Sequence, residues 1–205
     1  NLKTIEIPDN SQLSTIEEQS FFCSSIKDFK ITEKVKVLQP GSFFAAVDLI
    51  NVTISPKNPY FMIIDDKFLV GKSNLKSDIF DVLYFARRDL TVAKVPSFIT
   101  EISPFAFAGC KLLKTIEFEN DSNLKKIGDY AFFMTIIESL WLPPHVTEIT
   151  KNTFYNCDKL SFIEIPDNSE LKLFDKSSIN TDKVKIVISQ TLYNSINFIE
   201  HKNKE

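Results

Sequence analysis

Apolar residues recur along the chain in one fixed order. An apolar anchor is followed four residues later by a small side chain, five later by a large apolar one and ten or eleven later by another, and then by an alternating apolar pair. In the clearest copy these positions are held by Ile102, Ala106, Phe107, Leu113 and the pair Ile116 and Phe118. Alternation places both members of a pair on one face of a strand, so the pattern predicts a β-strand in each copy.

The same order occurs six times, and adjacent copies are 22 to 25 residues apart except across one interruption. The anchors are Ile16, Leu38, Ile102, Ile127, Ile149 and Phe174. The large apolar residues five positions later are Phe21, Phe43, Phe107, Phe132, Phe154 and Ile179. Because a unit this short cannot bury its own apolar face, the copies predict a solenoid of stacked units. We expect an α/β repeat fold, with a parallel sheet on the concave side and short helical turns on the opposite side.

The interruption lies between Ile54 and Val95, where one unit is replaced by a longer segment. Residues 60–70 are rich in β-branched and aromatic side chains, and Asp65–Asp66 supplies a turn signal at their centre. This arrangement predicts a β-hairpin. We expect the insertion, about residues 55–94, to sit on the edge of the solenoid rather than to form a second domain.

The pattern predicts a solenoid over residues 1–188 and a different structure over 189–205. In this tail Leu192, Ile196 and Ile199 follow helical spacing. A bare solenoid end exposes its core, so a capping helix or tail is the simplest interpretation. A helix that binds a partner is the alternative.

Composition excludes several classes of function. Of the 205 residues 43% are hydrophobic, the net charge is −3, and the only arginines are Arg87 and Arg88. Arginine dominates bidentate recognition of bases and phosphates, so we expect no nucleic-acid partner. No run of 18 apolar residues is present, so we expect no direct membrane insertion by this segment. Since the chain begins at Asn1 within a repeat, we expect it to be a processed chain or a fragment.

No catalytic or metal-binding motif stands out. Cys23, Cys110 and Cys157 fall at similar places in their units, too far apart for a disulfide, and are expected to be small buried core residues. His145 and His201 have no neighbouring ligand pattern, so they are expected to be exposed. We therefore predict no enzyme activity, no cofactor, no metal and no small-molecule substrate.

Two loop features leave alternatives open. Asp9 and Asp167 lie in identical Pro-Asp-Asn-Ser strings, which are typical of turns but also offer oxygen ligands for calcium. Asn120 begins a glycosylation sequon that matters only if the chain is secreted.

The repeated string Ile-x-x-x-Ala-Phe-x-x-Cys-x-x-Leu-x-x-Ile-x-Ile-Pro, best seen in 102–118 and 149–166, resembles BspA-like leucine-rich repeats. The resemblance covers roughly residues 1–188. It implies a leucine-rich-repeat solenoid from a family of surface proteins of mucosal bacteria and protozoan parasites, regarded as adhesins or binding proteins without catalytic residues. It also implies a cell-surface or secreted location, with a protein partner from a host or from self-assembly.

The residues that the pattern leaves free are the candidates for function. On the predicted concave face the outward residues are Thr115, Glu117, Ser139, Trp141, Phe162 and Glu164. Exposed aromatic side chains beside carboxylates are typical of binding hot spots. The insertion offers a secondary set, namely Tyr60, Phe61, Arg87 and Arg88. The leading hypothesis is a non-enzymatic protein-binding or adhesion module, and the alternative is a structural subunit that packs into a larger cytoplasmic assembly through its edges and hairpin.

Overall fold

The computed structural model describes residues 2–179 and 183–199, which form short strands joined by turns. The first strands are β1 (Thr15–Ile16), β2 (Asp28–Ile31), β3 (Val37–Leu38), β4 (Asn51–Ile54), β5 (Phe61–Ile64), β6 (Phe68–Gly71), β7 (Val82–Ala86) and β8 (Val92–Val95). The remaining strands are β9 (Glu101–Ile102), β10 (Thr115–Phe118), β11 (Lys126–Ile127), β12 (Ser139–Trp141), β13 (Glu148–Ile149), β14 (Phe162–Glu164), β15 (Leu173–Asp175), β16 (Lys185–Val187) and β17 (Asn197–Ile199). A 3₁₀ helix spans Lys176–Ser178, and an α-helix, α1, spans Gln190–Tyr193.

The longer strands form a parallel ladder along one side of the solenoid. β2 pairs with β4, β8 with β10, and β12 with β14 and then β16. Equivalent residues face each other across the coils, as Leu140 does with Ile163 and Ile163 with Ile186. These strands contain the alternating pairs of the sequence pattern, and their inward residues Leu140 and Ile163 are fully buried.

A second ladder runs through the anchors, and the sequence did not predict it. Ile102 lies opposite Ile127, Ile127 opposite Ile149, and Ile149 opposite Phe174, all in parallel. Ile16 and Leu38 pair in the same way near the start of the chain. Most of these strands are two residues long, which is too short to leave an alternation in the sequence. Each coil therefore carries a short strand and a long strand.

Most of the segments between the short and long strands are runs of turns, so the expectation of short helical turns was wrong for them, whereas the segment after β15 contains the 3₁₀ helix Lys176–Ser178. Tyr130 and Met134 have φ of 56° and 57°, which interrupts any right-handed helix. Backbone N–H groups in these segments bond to the next coil, as from Phe107 to the carbonyl of Ala131 at 2.9 Å. An α-helix would direct those donors along its own axis instead. The turns therefore help to hold neighbouring coils together.

The insertion is part of the stack rather than an appendage on its edge. β5 and β6 are antiparallel, with Asp65 and Asp66 at the turn between them, and β6 is also antiparallel to β7. β7 then pairs in parallel with β9, which joins the insertion to the short-strand ladder. Phe68, Leu69 and Val70 on β6 are at most 1% exposed. Because these side chains complete the core, the expected position on the edge of the solenoid is corrected.

A buried asparagine fixes the start of the insertion. The Asn58 amide nitrogen donates to the carbonyls of Thr32 and Val35 at 2.8 and 2.7 Å. Its amide oxygen accepts from the backbone N–H groups of Tyr60 and Phe61. A side chain that satisfies four backbone groups holds β5 at a defined place beside the preceding coil.

The coil that begins at Leu83 is four residues shorter than the regular coil after it. Ten residues separate Leu83 from Ala93, whereas fourteen separate their strand partners, Ile102 and Ile116. The position five residues after the anchor, which holds phenylalanine in the regular coils, is therefore Arg88.

Arg88 fills the space that the missing turn leaves, and its side chain is 4% exposed. Its guanidinium donates to the carbonyl of Ala106 at 3.0 Å, to that of Phe43 at 3.4 Å and to the Cys110 sulfur at 3.6 Å. It also lies 4.3 Å from the centroid of the Phe85 ring. No carboxylate in the described part of the chain pairs with it, and burial lowers its pKa. Arg88 therefore joins the coils on both sides of the shortened one.

The end of the described chain differs from the predicted capping helix. Helix α1 contains only the four residues Gln190–Tyr193. Ile199, expected on the same helix, lies in β17, which pairs in parallel with β15. Helical spacing was misleading here because another coil, with Phe198 opposite Phe174, continues the short-strand ladder. The rest of the predicted tail, residues 200–205, and His201 with it, lie outside the described residues.

Two of the three cysteines are core residues, and all three are free thiols. Cys110 and Cys157 are buried as expected, and burial raises the pKa of both, to about 11 for Cys157. Cys157 also donates to the carbonyl of Phe132 at 3.0 Å. Cys23 is exposed and has a φ of 52°, so the expectation of burial was wrong for it. Its place one residue short of the equivalent position explains the difference.

Replacing Arg88 by alanine is expected to lower the free energy of unfolding by about 3 kcal/mol, since it removes the side-chain donor from the carbonyls of Ala106 and Phe43 and opens a cavity in the core. Arg87→Ala is the matched control. Arg87 pairs with Asp89 at 2.7 Å on the surface, and its loss is expected to cost less than about 1 kcal/mol. Urea unfolding followed by circular dichroism measures both. Equal losses in the two variants would show that Arg88 has no special place in the stack.

The thiols are expected to react in two classes. At about pH 8 a chromogenic disulfide reagent should modify Cys23 quickly, and Cys110 and Cys157 only at the rate at which the chain opens, because they are buried and protonated. In denaturant all three should react at once. Cys23→Ser should abolish the fast phase and leave the slow one. Two or more fast thiols in the native protein would contradict the burial described here.

Candidate binding surface

The outward side chains of β8, β10, β12, β14 and β16 form one surface, which we call the long-strand face. It consists of two parallel rows that run across the coils. One row holds Lys94, Glu117, Trp141, Glu164 and Val187, and the other holds Val92, Thr115, Ser139, Phe162 and Lys185. All six residues that the sequence assigned to the binding face thus lie on adjacent strands of this surface.

Trp141 is the most prominent side chain of the long-strand face, with 53% of its surface exposed. Phe162, on the neighbouring β14, packs against it at 5.2 Å between ring centroids and an interplanar angle of 88°. This edge-to-face contact is a favoured geometry for aromatic pairs and restricts the indole ring. A large apolar side chain is therefore held in a defined position while much of it faces solvent.

Carboxylates lie on both sides of Trp141 in its row. Glu164 is directly opposite it on β14, and Glu117 occupies the equivalent place on β10. Neither carboxylate forms an ion pair within residues 2–179 and 183–199. Lys94 lies opposite Glu117, but its ammonium is 3.9 Å from Glu119 instead. The indole is thus bordered by two carboxylates that form no ion pair with any described residue.

A depression of about 420 Å³ opens beside the indole. Its wall on the β10 side contains Thr115, Glu117 and Phe118, and Trp141 forms another wall. The connectors that follow the long strands complete it with Glu119, Asn120, Leu142, Pro143, Pro144, Pro166 and Asn168. Phe162 does not line it, because this ring packs against Trp141 from β14. The depression spans three successive coils.

Sequence reasoning missed the part that the connectors play in this depression. Pro143, Pro144 and Pro166 follow long strands, and their side chains form an apolar wall of the depression. A signal was present, since each connector directly follows a strand that bears outward candidates. Asn120, the sequon residue, is exposed at the rim.

The secondary candidates on the insertion do not form a second surface. Phe61 and Arg88 are 5% and 4% exposed, so their assignment as surface binding residues is corrected. Arg87 is engaged with Asp89. Tyr60 is half-buried and borders a separate depression that contains lysines, among them Lys36. The insertion needs the buried side chains to complete the core, which short-range patterns do not reveal.

A row of aromatic side chains on the turn side was also missed. The residues six positions after the anchors are often aromatic, and they meet across the coils with other rings: Phe22, Phe44, Phe105, Tyr130, Phe133 and Tyr155. Phe105 and Tyr130 stack at 5.1 Å, and Phe133 and Tyr155 at 6.0 Å. Because these rings pack against one another between neighbouring coils, this row helps to join the coils.

Among the described residues no three His, Cys, Asp or Glu side chains gather in a way that could hold a metal ion. His145 is exposed, as expected, and its Nδ1 lies 2.9 Å from Glu170. Asp9 lies 2.6 Å from the Lys30 ammonium. None of the helices in residues 2–179 and 183–199 is long and apolar enough to cross a membrane.

Several solved structures share this fold. A leucine-rich-repeat protein from Eubacterium ventriosum superposes with a TM-score of 0.72 and 20% identity, over 92% of this chain and 55% of that one. A leucine-rich cell surface protein from Faecalibacterium prausnitzii gives 0.67 and 18%, over 98% and 58%. The pneumococcal vaccine antigen PcpA gives 0.66 and 18%, over 98% and 62%. The chain thus spans little more than half the length of these proteins.

No protein with a curated description matches the chain. The family model for the BspA type leucine-rich repeat region matches residues 1–77 and 78–202, in six copies. The match covers nearly the whole chain, and the paired ladders have the architecture that such repeats form. The chain therefore belongs to the BspA-type leucine-rich-repeat family.

Proposed function

We propose that this chain is a non-enzymatic recognition module that binds a macromolecular partner through its long-strand face, with Trp141 at the centre of the contact. The observation that carries the proposal is the side chain of Trp141, which is 53% exposed and held by Phe162. Aromatic anchors of this kind dominate the energy of many protein interfaces. The rigid ladder beneath them would meet a partner without rearrangement.

The surroundings of Trp141 supply the other parts of a binding contact. Thr115 and Ser139 offer half-buried hydroxyl groups, while Glu117 and Glu164 offer charges for orientation. The depression beside the indole gives the surface a concave point at which a partner can insert a side chain. Leucine-rich-repeat proteins generally act as interaction or surface modules, which agrees with this role.

We also propose a cell-surface location for the protein, by analogy with its structural relatives. One of them is named a cell surface protein and another a vaccine antigen. The partner is then a host protein or another component of the same surface. The alternative, a subunit packed into a cytoplasmic assembly through its edges and hairpin, has less support because the hairpin side chains of Phe61, Phe68, Leu69 and Val70 are buried within the stack.

Trp141→Ala is expected to reduce the amount of captured partner at least tenfold, as for a hot-spot residue. Immobilised protein would be exposed to host-cell extract and to lysate of the source cells, and the bound proteins quantified by mass spectrometry. The matched control is Phe22→Ala, which removes an aromatic side chain that is 51% exposed on the turn side. If the two variants retain the same proteins in the same amounts, the long-strand face is not the binding surface.

A further inference from the structure

The depression beside Trp141 is lined by negatively charged side chains, which favour a positively charged ligand. Of the described residues that line it, the charged ones are Glu117 and Glu119. Glu119 accepts from the backbone N–H of Ser97 at 2.9 Å and lies 3.9 Å from the Lys94 ammonium. Glu117 is exposed and has no ion pair in the described part of the chain. The net effect is a negative site that attracts cations and repels acidic segments.

The indole adds a second feature that favours a cation. Trp141 lines the depression, while Phe162 packs against the indole from β14 and does not line it. An ammonium or guanidinium over a tryptophan face is attracted by the ring quadrupole, and most strongly when a carboxylate stands beside it. Trp141 and Glu117 therefore form two sides of a binding site for one cationic group, which we call the cation site.

The remaining walls suit the stem of a long cationic side chain and the backbone that carries it. Leu142, Pro143 and Pro166 provide apolar surface for methylene groups. Asn120 and Asn168 are exposed at the rim, where their amides can bond an extended backbone. Three coils at a spacing of about 4.8 Å give a floor about 10 Å long, enough for about three extended residues.

We propose, on the basis of the protein-binding function above, that this depression accepts a lysine or arginine side chain from an extended basic segment of the partner protein. The cationic head lies over Trp141 beside Glu117, its stem lies against the prolines, and Glu164 beyond the indole adds to the negative field. The occupant is a separate protein rather than a second copy of this chain.

The test uses the whole chain and three peptides of about ten residues: oligolysine, oligoarginine and oligoglutamate. Because Trp141 is the only tryptophan, its fluorescence reports directly on the site. We expect the two basic peptides to change the emission in a saturable way and to bind more weakly as salt is raised. Oligoglutamate should give no change. Equal responses to basic and acidic peptides would overturn the proposal.

Two variants distinguish binding at the cation site from attraction of the peptide by the net charge of the protein. Glu117→Gln is expected to raise the Kd for oligolysine about fivefold. Glu18→Gln removes the same charge at an exposed site on the first coil and is expected to change the Kd less than about twofold. Both substitutions are on the surface, so folding is preserved. Equal weakening by the two variants would mean that only net charge attracts the peptide.

Two variants distinguish failure of the proposed cation site from failure of the proposed protein-binding function. If Trp141→Ala abolishes partner capture while Glu117→Gln leaves both capture and peptide binding unchanged, the protein-binding function stands and the proposed cation site is wrong. If Trp141→Ala leaves capture intact, both the protein-binding function and the proposed cation site are wrong.

Sedimentation velocity tests self-association, because this chain carries Lys34, Lys36 and Lys57 around another depression and one of them could occupy the site of a second copy. A dimer lost in both Glu117→Gln and Lys36→Gln would replace the proposed partner with a second copy.

Discussion

The structure depends on one packing constraint, which is that each regular coil must place a large apolar side chain, in most coils a phenylalanine ring, at the same point inside the solenoid. The rings of Phe132 and Phe154 are stacked at 5.5 Å with an interplanar angle of 4°, and Phe107 and Phe132 are stacked at 5.2 Å. One coil cannot bury such a ring alone, so stability comes from contacts between neighbours. In the shortened coil Arg88 stands at the position that phenylalanine holds in the pattern, and its buried guanidinium donates to carbonyls of the coils on both sides.

This constraint separates the residues that hold the fold from those that are available for recognition. The inward side chains of the long strands and the anchors of the short strands are buried, and the turns bond coil to coil through their backbones. The outward side chains of the long strands do not contribute to this buried core. Trp141 and Glu117 therefore lie on a rigid support whose stability does not require their identity, which is the arrangement expected of a binding surface on a repeat protein.

The sequence predicted the parts of the structure that follow from a repeated register. The core positions of Phe107, Phe132 and Phe154 and the outward position of Trp141 all follow from counting residues after an anchor. The second ladder did not, because two-residue strands leave no alternation to read. The tail was misread because the spacing of Ile196 and Ile199 fits a helix, whereas pairing with the preceding coil decides its structure. Arg88 and the connectors around the depression gain their roles only from contacts between distant residues.

Thermal unfolding of two variants by differential scanning calorimetry tests most directly whether the stacked core alone holds the fold. The first, Glu117→Gln with Trp141→Leu, changes two outward side chains, and the second, Phe132→Ala, removes one buried ring. We expect the double variant to change the free energy of unfolding by less than about 1 kcal/mol, and Phe132→Ala to lower it by about 3 to 5 kcal/mol. A double variant that unfolds as early as Phe132→Ala would contradict the claim that the stacked core holds the fold and leaves the long-strand face for binding.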